Sequence, residues 1–316
     1  AAVCSKPRAN ATHTCHTHMP STHATRTCTC IQQGLTLVGF DFALSIGVDL
    51  LEFDVLLSRD DIPVITHNHE FHGSAVRGAD GAFLNGEHPR VASLTMAEIE
   101  RFDIGRLNAD TEYGRRFPDQ AQMDGIRVPR LGELLHLVSQ ARYATACLML
   151  ELKSDPDFAQ DSAVRERIVS VICRDVREAK LADRTLLHSF DWALLAECRR
   201  QAPDMPLSFL TQLQENEHDV GEDSSILVTP DFSKPNMSVP DEVSKAGGSL
   251  WCPHFTELGA DDLAHARELG LAVAAWTVNE PDDIEAMIDF RVDAIVTDYP
   301  GRVQQRLSER GFRWRR

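Results

Sequence analysis

Positive charge is scarce in this chain. Its 316 residues carry 32 Lys and Arg against 48 Asp and Glu, a formal net charge of −16. A nucleic-acid or anionic-membrane surface needs a basic patch, so the balance argues against both as partners. No run of about 18 apolar residues occurs, so no transmembrane segment is expected. Residues 1–34 contain no Asp, Glu or Leu. They also lack the apolar core, about 7–15 residues long, that a secretory signal needs. The expected location is therefore the cytoplasm, or the periplasm or exterior if a signal has been lost from the N-terminus. The eight cysteines fall into two groups. Cys147, Cys173, Cys198 and Cys252 lie dispersed in apolar or helical stretches and read as buried thiols. Cys4, Cys15, Cys28 and Cys30 lie in the Thr- and His-rich start, where neither His16/His18 nor Cys28/Cys30 has a structural zinc spacing. That start reads as disordered.

What the chain does have is a soluble composition, 43% apolar and 25% charged, and length enough for one large core. From residue 35 strands and helices alternate, the pattern of a parallel sheet covered by helices. Strand-like runs fall at Leu50–Leu56, Cys147–Lys153, Thr185–Ser189, Leu207–Leu210, Ser249–Cys252, Ala272–Val278 and Ala294–Thr297. Helical periodicity is clear at Leu37–Ile46, Leu131–Ser139, Ala163–Ala179, Trp192–Gln201, Asp261–Leu269, Pro281–Phe290 and Arg302–Arg310. A helix before the first of these strands calls for one more strand upstream, near residues 20–26. With it the count is that of an α/β TIM (β/α)8 barrel occupying residues 36–316. No apolar run exists there, so the first strand is expected to be degraded or absent. After the second strand, Ile62–Thr66 forms a short apolar strand, and residues 68–128, rich in Gly, Asp and Arg, read as an insertion over the barrel mouth.

The chemistry concentrates in Glu52-Phe53-Asp54. Residues two apart on a strand share a face, so Glu52 and Asp54 point together from an otherwise apolar run. Buried carboxylates persist when paired or when they bind a cation. Glu151 and Lys153 repeat the arrangement on the next parallel strand. Three acids from two neighbouring strand ends make an oxygen-ligand site suited to Mg²⁺ or Ca²⁺. His67 closes the short strand after the hairpin and suits general acid–base work beside these acids. His69 and His72 follow in the same loop with weaker claims.

With these residues in view the chain resembles the glycerophosphodiester phosphodiesterase family. The similarity is carried by Gly47–Val55, Ile62–His67, Glu151-Leu152-Lys153, Ser189-Phe190-Asp191, Trp276–Asn279 and Ile295–Pro300, in the family's order across residues 36–301. The resemblance implies a TIM barrel with an insertion after its second strand. It implies a divalent cation on Glu52, Asp54 and Glu151, His67 as one of two catalytic histidines, Lys153 on the phosphate, and Trp276 lining the pocket against the glycerol or alcohol end. The reaction implied is hydrolysis of a small-molecule glycerophosphodiester to glycerol 3-phosphate and an alcohol. Two departures stand out. Asn68 replaces the aspartate that usually follows the histidine. The family's opening His-Arg-Gly strand has no counterpart: its histidine slot falls at about Thr25, with Arg26 the only possible remnant and His23 two residues away. Residues 1–35 thus read as out of register with the original coding sequence. The expectation that follows is an impaired enzyme, or a barrel that binds phosphodiesters without turnover, with a lipid-headgroup phosphodiesterase as the related alternative.

Overall fold

The computed structural model describes residues 26–29, as backbone, and residues 35–312 apart from 87, 119, 156–159, 214–228, 233 and 235–236. Eight strands form a closed parallel ring: β1 (Arg26–Thr29), β2 (Leu50–Leu57), β4 (Cys147–Leu152), β5 (Thr185–Ser189), β6 (Leu207–Thr211), β7 (Leu250–Pro253), β8 (Ala272–Ala275) and β9 (Ala294–Thr297). β3 (Pro63–Ile65) lies outside the ring, antiparallel to the end of β2. The ring closes because β1 pairs with β9 from Arg26–Ala294 to Thr29–Thr297 and with β2 at Cys28–Leu50.

The closure corrects the expectation of an absent first strand. A parallel strand flanked on both sides is held by its ladder hydrogen bonds, which any residue but proline can make. Its place is therefore filled although the sequence there has no apolar pattern. Disorder, expected throughout residues 1–35, is overturned at Arg26–Thr29, which form this strand, and at Leu35, which is buried. For the other residues of that stretch it falls outside the described residues, as does a shifted reading frame.

Helices α1 (Leu37–Ser45), α4 (Leu131–Val138), α5 (Ser162–Glu178), α6 (Trp192–Gln201), α7 (Val239–Ala246), α8 (Ala260–Glu268), α9 (Pro281–Phe290) and α10 (Pro300–Glu309) cover the ring. Their starts are legible. Thr36, Asp161, Asp191 and Ser238 each accept a hydrogen bond from a first-turn amide, as N-caps do. α7 ends on Gly247 in the left-handed conformation at φ 83°, which only glycine adopts without a Cβ penalty.

Strand alternation sorts the side chains into two layers. Leu51, Phe53, Leu148, Leu150 and Leu187 face the helices, in one cluster with Val169, Leu194 and Ile288. Leu50, Met149, Leu186, Leu210, Leu250 and Val296 fill the barrel interior. A third cluster joins Leu56 of β2 and Val64 of β3 to Phe71, Val76, Met96, Ile99 and Val128 of the segment between β3 and α4. That segment carries the short helices α2 (Met96–Ile99) and α3 (Glu112–Arg116) and a 3-10 turn at Val91–Ser93. It is tied by Arg77, 2.6 Å from Asp103 and 2.7 Å from Asp124. The four described cysteines are free thiols, as expected, and three of them are buried.

Candidate active site

Register decides which polar side chains meet. Asp54 pairs with Glu151 across β2 and β4, and Glu151 pairs with His188 across β4 and β5. All three point into the barrel above the Met149 layer, with Glu52 one step below Asp54 on β2. Glu52, Asp54, Glu151, Lys153 and His188 are each no more than 6% exposed, a concentration of charge that needs internal compensation.

Lys153 supplies part of it. Its Nζ lies 3.1 Å from Asp54 Oδ1 and 3.2 Å from Glu151 Oε1. Burial works to raise the Asp54 pKa, but the Lys153 ammonium, the His67 imidazole and hydrogen bonds from Lys153 and Glu151 outweigh it, so the pKa is lowered. Glu151 goes the other way. Burial lifts it to about 8, Lys153 opposes, and the Asp54 charge adds to the rise. The two adjoining carboxyls are therefore pushed apart, Glu151 toward its neutral form and Asp54 toward its charged one.

His188 was not among the residues singled out in the sequence. The motif Ser189-Phe190-Asp191 begins at the last residue of the same strand, but only the β4–β5 register shows that His188 shares the acids' face. Its Nδ1 lies 2.6 Å from Ser208 Oγ, and burial lowers its pKa to about 3, so the ring is neutral. Glu52, Glu151 and His188 place one ligand atom each within 4.8 Å of the others. Asp54 Oδ2 is fully buried and meets no ammonium, amide or hydroxyl donor among the described residues. A divalent cation fits two buried carboxylates and a neutral imidazole that converge beside a strand whose Asp54 also carries a buried oxygen without a donor among the described residues.

His67 follows β3 and is half-buried. Its Nδ1 lies 2.7 Å from Asn68 Oδ1. An amide oxygen only accepts, so Nδ1 carries the hydrogen and Nε2 is the basic nitrogen. Trp276 stands at the end of β8. Its Nε1 donates to the Cys252 carbonyl at 3.0 Å, and its ring meets Phe190 and His254 edge-on at 5.3 Å and 5.0 Å. These three rings make an aromatic wall at the ends of β5, β7 and β8.

Other motif residues hold the strand ends. Ser189 Oγ donates to the Leu152 carbonyl at 2.7 Å, and Ser154 Oγ donates to Asp191, the N-cap of α6. The Asn279 side chain accepts from the Asp298 amide at 2.9 Å and donates to its carboxylate at 2.7 Å. His69 is buried, its Nε2 donating to the Ser154 carbonyl at 2.9 Å.

The chain matches the sequence pattern of the glycerophosphoryl diester phosphodiesterase family over residues 34–302. A glycerophosphodiester phosphodiesterase of Caldanaerobacter subterraneus subsp. tengcongensis is 24% identical over 265 residues, 84% of this chain and 88% of that one. A crystal structure from Silicibacter pomeroyi DSS-3, named for the same activity, is 46% identical. It superposes with a TM-score of 0.85 over 92% of this chain and 96% of that one. An Oleispira antarctica phosphodiesterase in complex with its product sn-glycerol-3-phosphate shares the fold at 17% identity, with a TM-score of 0.65 over 90% of this chain and 97% of that one.

Proposed function

This chain belongs to the glycerophosphoryl diester phosphodiesterase family, whose members are phosphoric diester hydrolases, and on that premise we propose that it hydrolyses glycerophosphodiesters to glycerol 3-phosphate and an alcohol with the aid of Mg²⁺ or Ca²⁺. The observation that carries the reading is the buried group of Glu52, Asp54, Glu151 and Lys153 at one end of the barrel, with the His67 charge acting on Asp54. In a TIM barrel the carboxyl ends of the strands are where catalysis takes place.

Glu52, Asp54 and Glu151 would hold the cation. When bound there, a divalent cation offsets phosphate charge and makes an oxygen nucleophile available at neutral pH. Lys153 directs an N–H of its ammonium to a non-bridging phosphate oxygen, within reach of its present contacts to Asp54 and Glu151. His67, oriented through Nδ1 by Asn68, exchanges a proton at Nε2 with the reacting oxygen. Trp276, Phe190 and His254 shape an apolar side for the alcohol or glycerol end and keep water from it. The slot of a second histidine, near Thr25, lies outside the described residues.

The test is release of glycerol 3-phosphate from glycerophosphocholine and glycerophosphoethanolamine, and of the corresponding product from lysophosphatidylcholine. Each is run with Mg²⁺, Ca²⁺ or chelator. Cation-dependent release that Glu52→Ala abolishes supports the reading. Glycerophosphodiester binding without release under any condition would replace the hydrolase with a binding barrel. Turnover of lysophosphatidylcholine alone would make it a lipid-headgroup enzyme.

A further inference from the structure

A second group of metal-ligand side chains lies outside the barrel. Glu70, His72 and His88 each offer one ligand atom, and the three atoms lie within 4.8 Å of one another. Two imidazoles and one carboxylate form a zinc-type donor set that leaves a fourth position open, unlike the carboxylate-dominated set inside the barrel. We propose that this cluster is a Zn²⁺ site that clamps the hairpin made by residues 69–91.

The backbone brings the ligands together from both arms of that hairpin. Phe71 N donates to the Pro89 carbonyl at 2.9 Å, Val91 N donates to the His69 carbonyl at 2.8 Å, and Glu70 pairs antiparallel with Arg90. Farther out, Leu84 N donates to the Val76 carbonyl at 3.0 Å and Arg77 pairs with Phe83. His72 and His88 therefore emerge opposite one another between two paired stretches, with ring centroids 4.2 Å apart. Gly73 permits the approach, because a Cβ there would stand 1.9 Å from the Leu84 carbonyl oxygen. His72 is buried and fixed in place, whereas His88 is exposed and can turn.

Two imidazoles packed edge to face are ordinary ring packing, and that contact alone would say little. Convergence of the Glu70 carboxylate on the same point is what makes a site. With Zn–N and Zn–O bonds of about 2.0–2.2 Å, tetrahedral ligand atoms stand roughly 3.3 Å apart. The three ligand atoms, within 4.8 Å of one another, stand somewhat wider than that, and the exposed His88 is the ligand least held by packing.

The location gives the ion a consequence. Glu70 and His72 line a small cavity shared with His67, Asn68 and Tyr113. The hairpin stem is fastened to the chain just beyond β4 by His69 on the Ser154 carbonyl and by Arg90, 2.7 Å from Asp155. A metal joining residues 70, 72 and 88 would hold the stem beside the residue that follows β3 and carries the proposed acid–base role. The inference uses only these side chains and does not depend on the proposed activity.

The experiment is a Zn²⁺ titration of the full chain after chelator treatment, read by equilibrium dialysis with metal analysis. Glu52→Ala is the background, chosen to remove the barrel ions. That protein should retain one tightly bound Zn²⁺. Adding His88→Gln, at an exposed position that leaves the fold intact, should weaken it at least about 100-fold, beyond the effect of losing a partner that only orients a ligand. His88→Cys should restore it, since a thiolate also binds zinc. With Co²⁺ in place of zinc, the visible absorption bands of the bound ion should vanish in His88→Gln. Equal zinc affinity with and without His88, or no zinc retained by the Glu52→Ala protein, would overturn the proposal.

Discussion

The Lys153 ammonium sits 3.1 Å from the Asp54 carboxylate with both side chains almost wholly buried. Such a pair contributes little by forming but costs much when one member is removed, because the other is left as an uncompensated charge. Lys153→Met should therefore destabilise the cation-free protein by about 3–5 kcal/mol. A bound cation would replace the missing positive charge. Chemical denaturation with chelator and with excess Mg²⁺ or Ca²⁺ should show the penalty shrinking when the cation is present. An equal penalty in both conditions would place the cation elsewhere.

If the proposed cation is held by Glu151, its binding depends on pH. With its pKa raised to about 8, Glu151 must lose its proton before it can serve as a ligand. Affinity for the barrel cation should rise as pH increases from 6 toward about 8 and then level off. Calorimetry at pH 7 in buffers of different ionisation enthalpy should show release of about one proton per cation. Glu151→Gln should abolish both the proton release and most of the affinity.

His188 carries the opposite sign. Its folded pKa is depressed to about 3, below the unfolded value of about 6.5. The stability linked to it is therefore complete above pH 6.5 and is lost as pH falls toward the folded value. His188→Gln should flatten the decline in unfolding free energy between pH 6.5 and pH 4 relative to wild type. Denaturant midpoints measured across that range check it.

Asn68 presents a neutral amide oxygen to His67 Nδ1. Asn68→Asp should raise the imidazole pKa, by roughly 1 unit or more for a carboxylate at hydrogen-bond distance. If His67 acts as the base, the acidic limb of the kcat/KM profile should move up in pH by the same amount. An unmoved limb would assign it to another group.

Trp276 tests the pocket rather than the chemistry. Trp276→Ala removes the ring that joins Phe190 and His254. It should raise KM for glycerophosphocholine with a smaller change in kcat, since the indole packs on Phe190 and His254 and hydrogen-bonds the Cys252 carbonyl. Steady-state kinetics separates the two.

The barrel was legible because its signals are local. Hydrophobic runs bounded by caps and turns need no tertiary knowledge, and Pro281 at the start of α9 shows the kind of cue involved. The strand at Arg26–Thr29 was not legible, since its place comes from neighbours that the sequence does not show side by side. α7 was likewise not singled out, although Ser238, Pro240 and Gly247 mark its ends.

Alternation along a single strand sufficed to put Glu52 with Asp54, and Glu151 with Lys153, because the pleat has a period of two whatever the fold. The sequence by itself therefore determined the acids, the lysine and the barrel that carries them. Register between strands has no such local rule. Only the tertiary structure decided that His188 stands beside Glu151 and that Asp54 and Glu151 share one lysine. It also decided that His72 and His88, sixteen residues apart in sequence, face each other across a hairpin. Those pairings depend on distances that chain closure sets, and closure is a property of the whole ring.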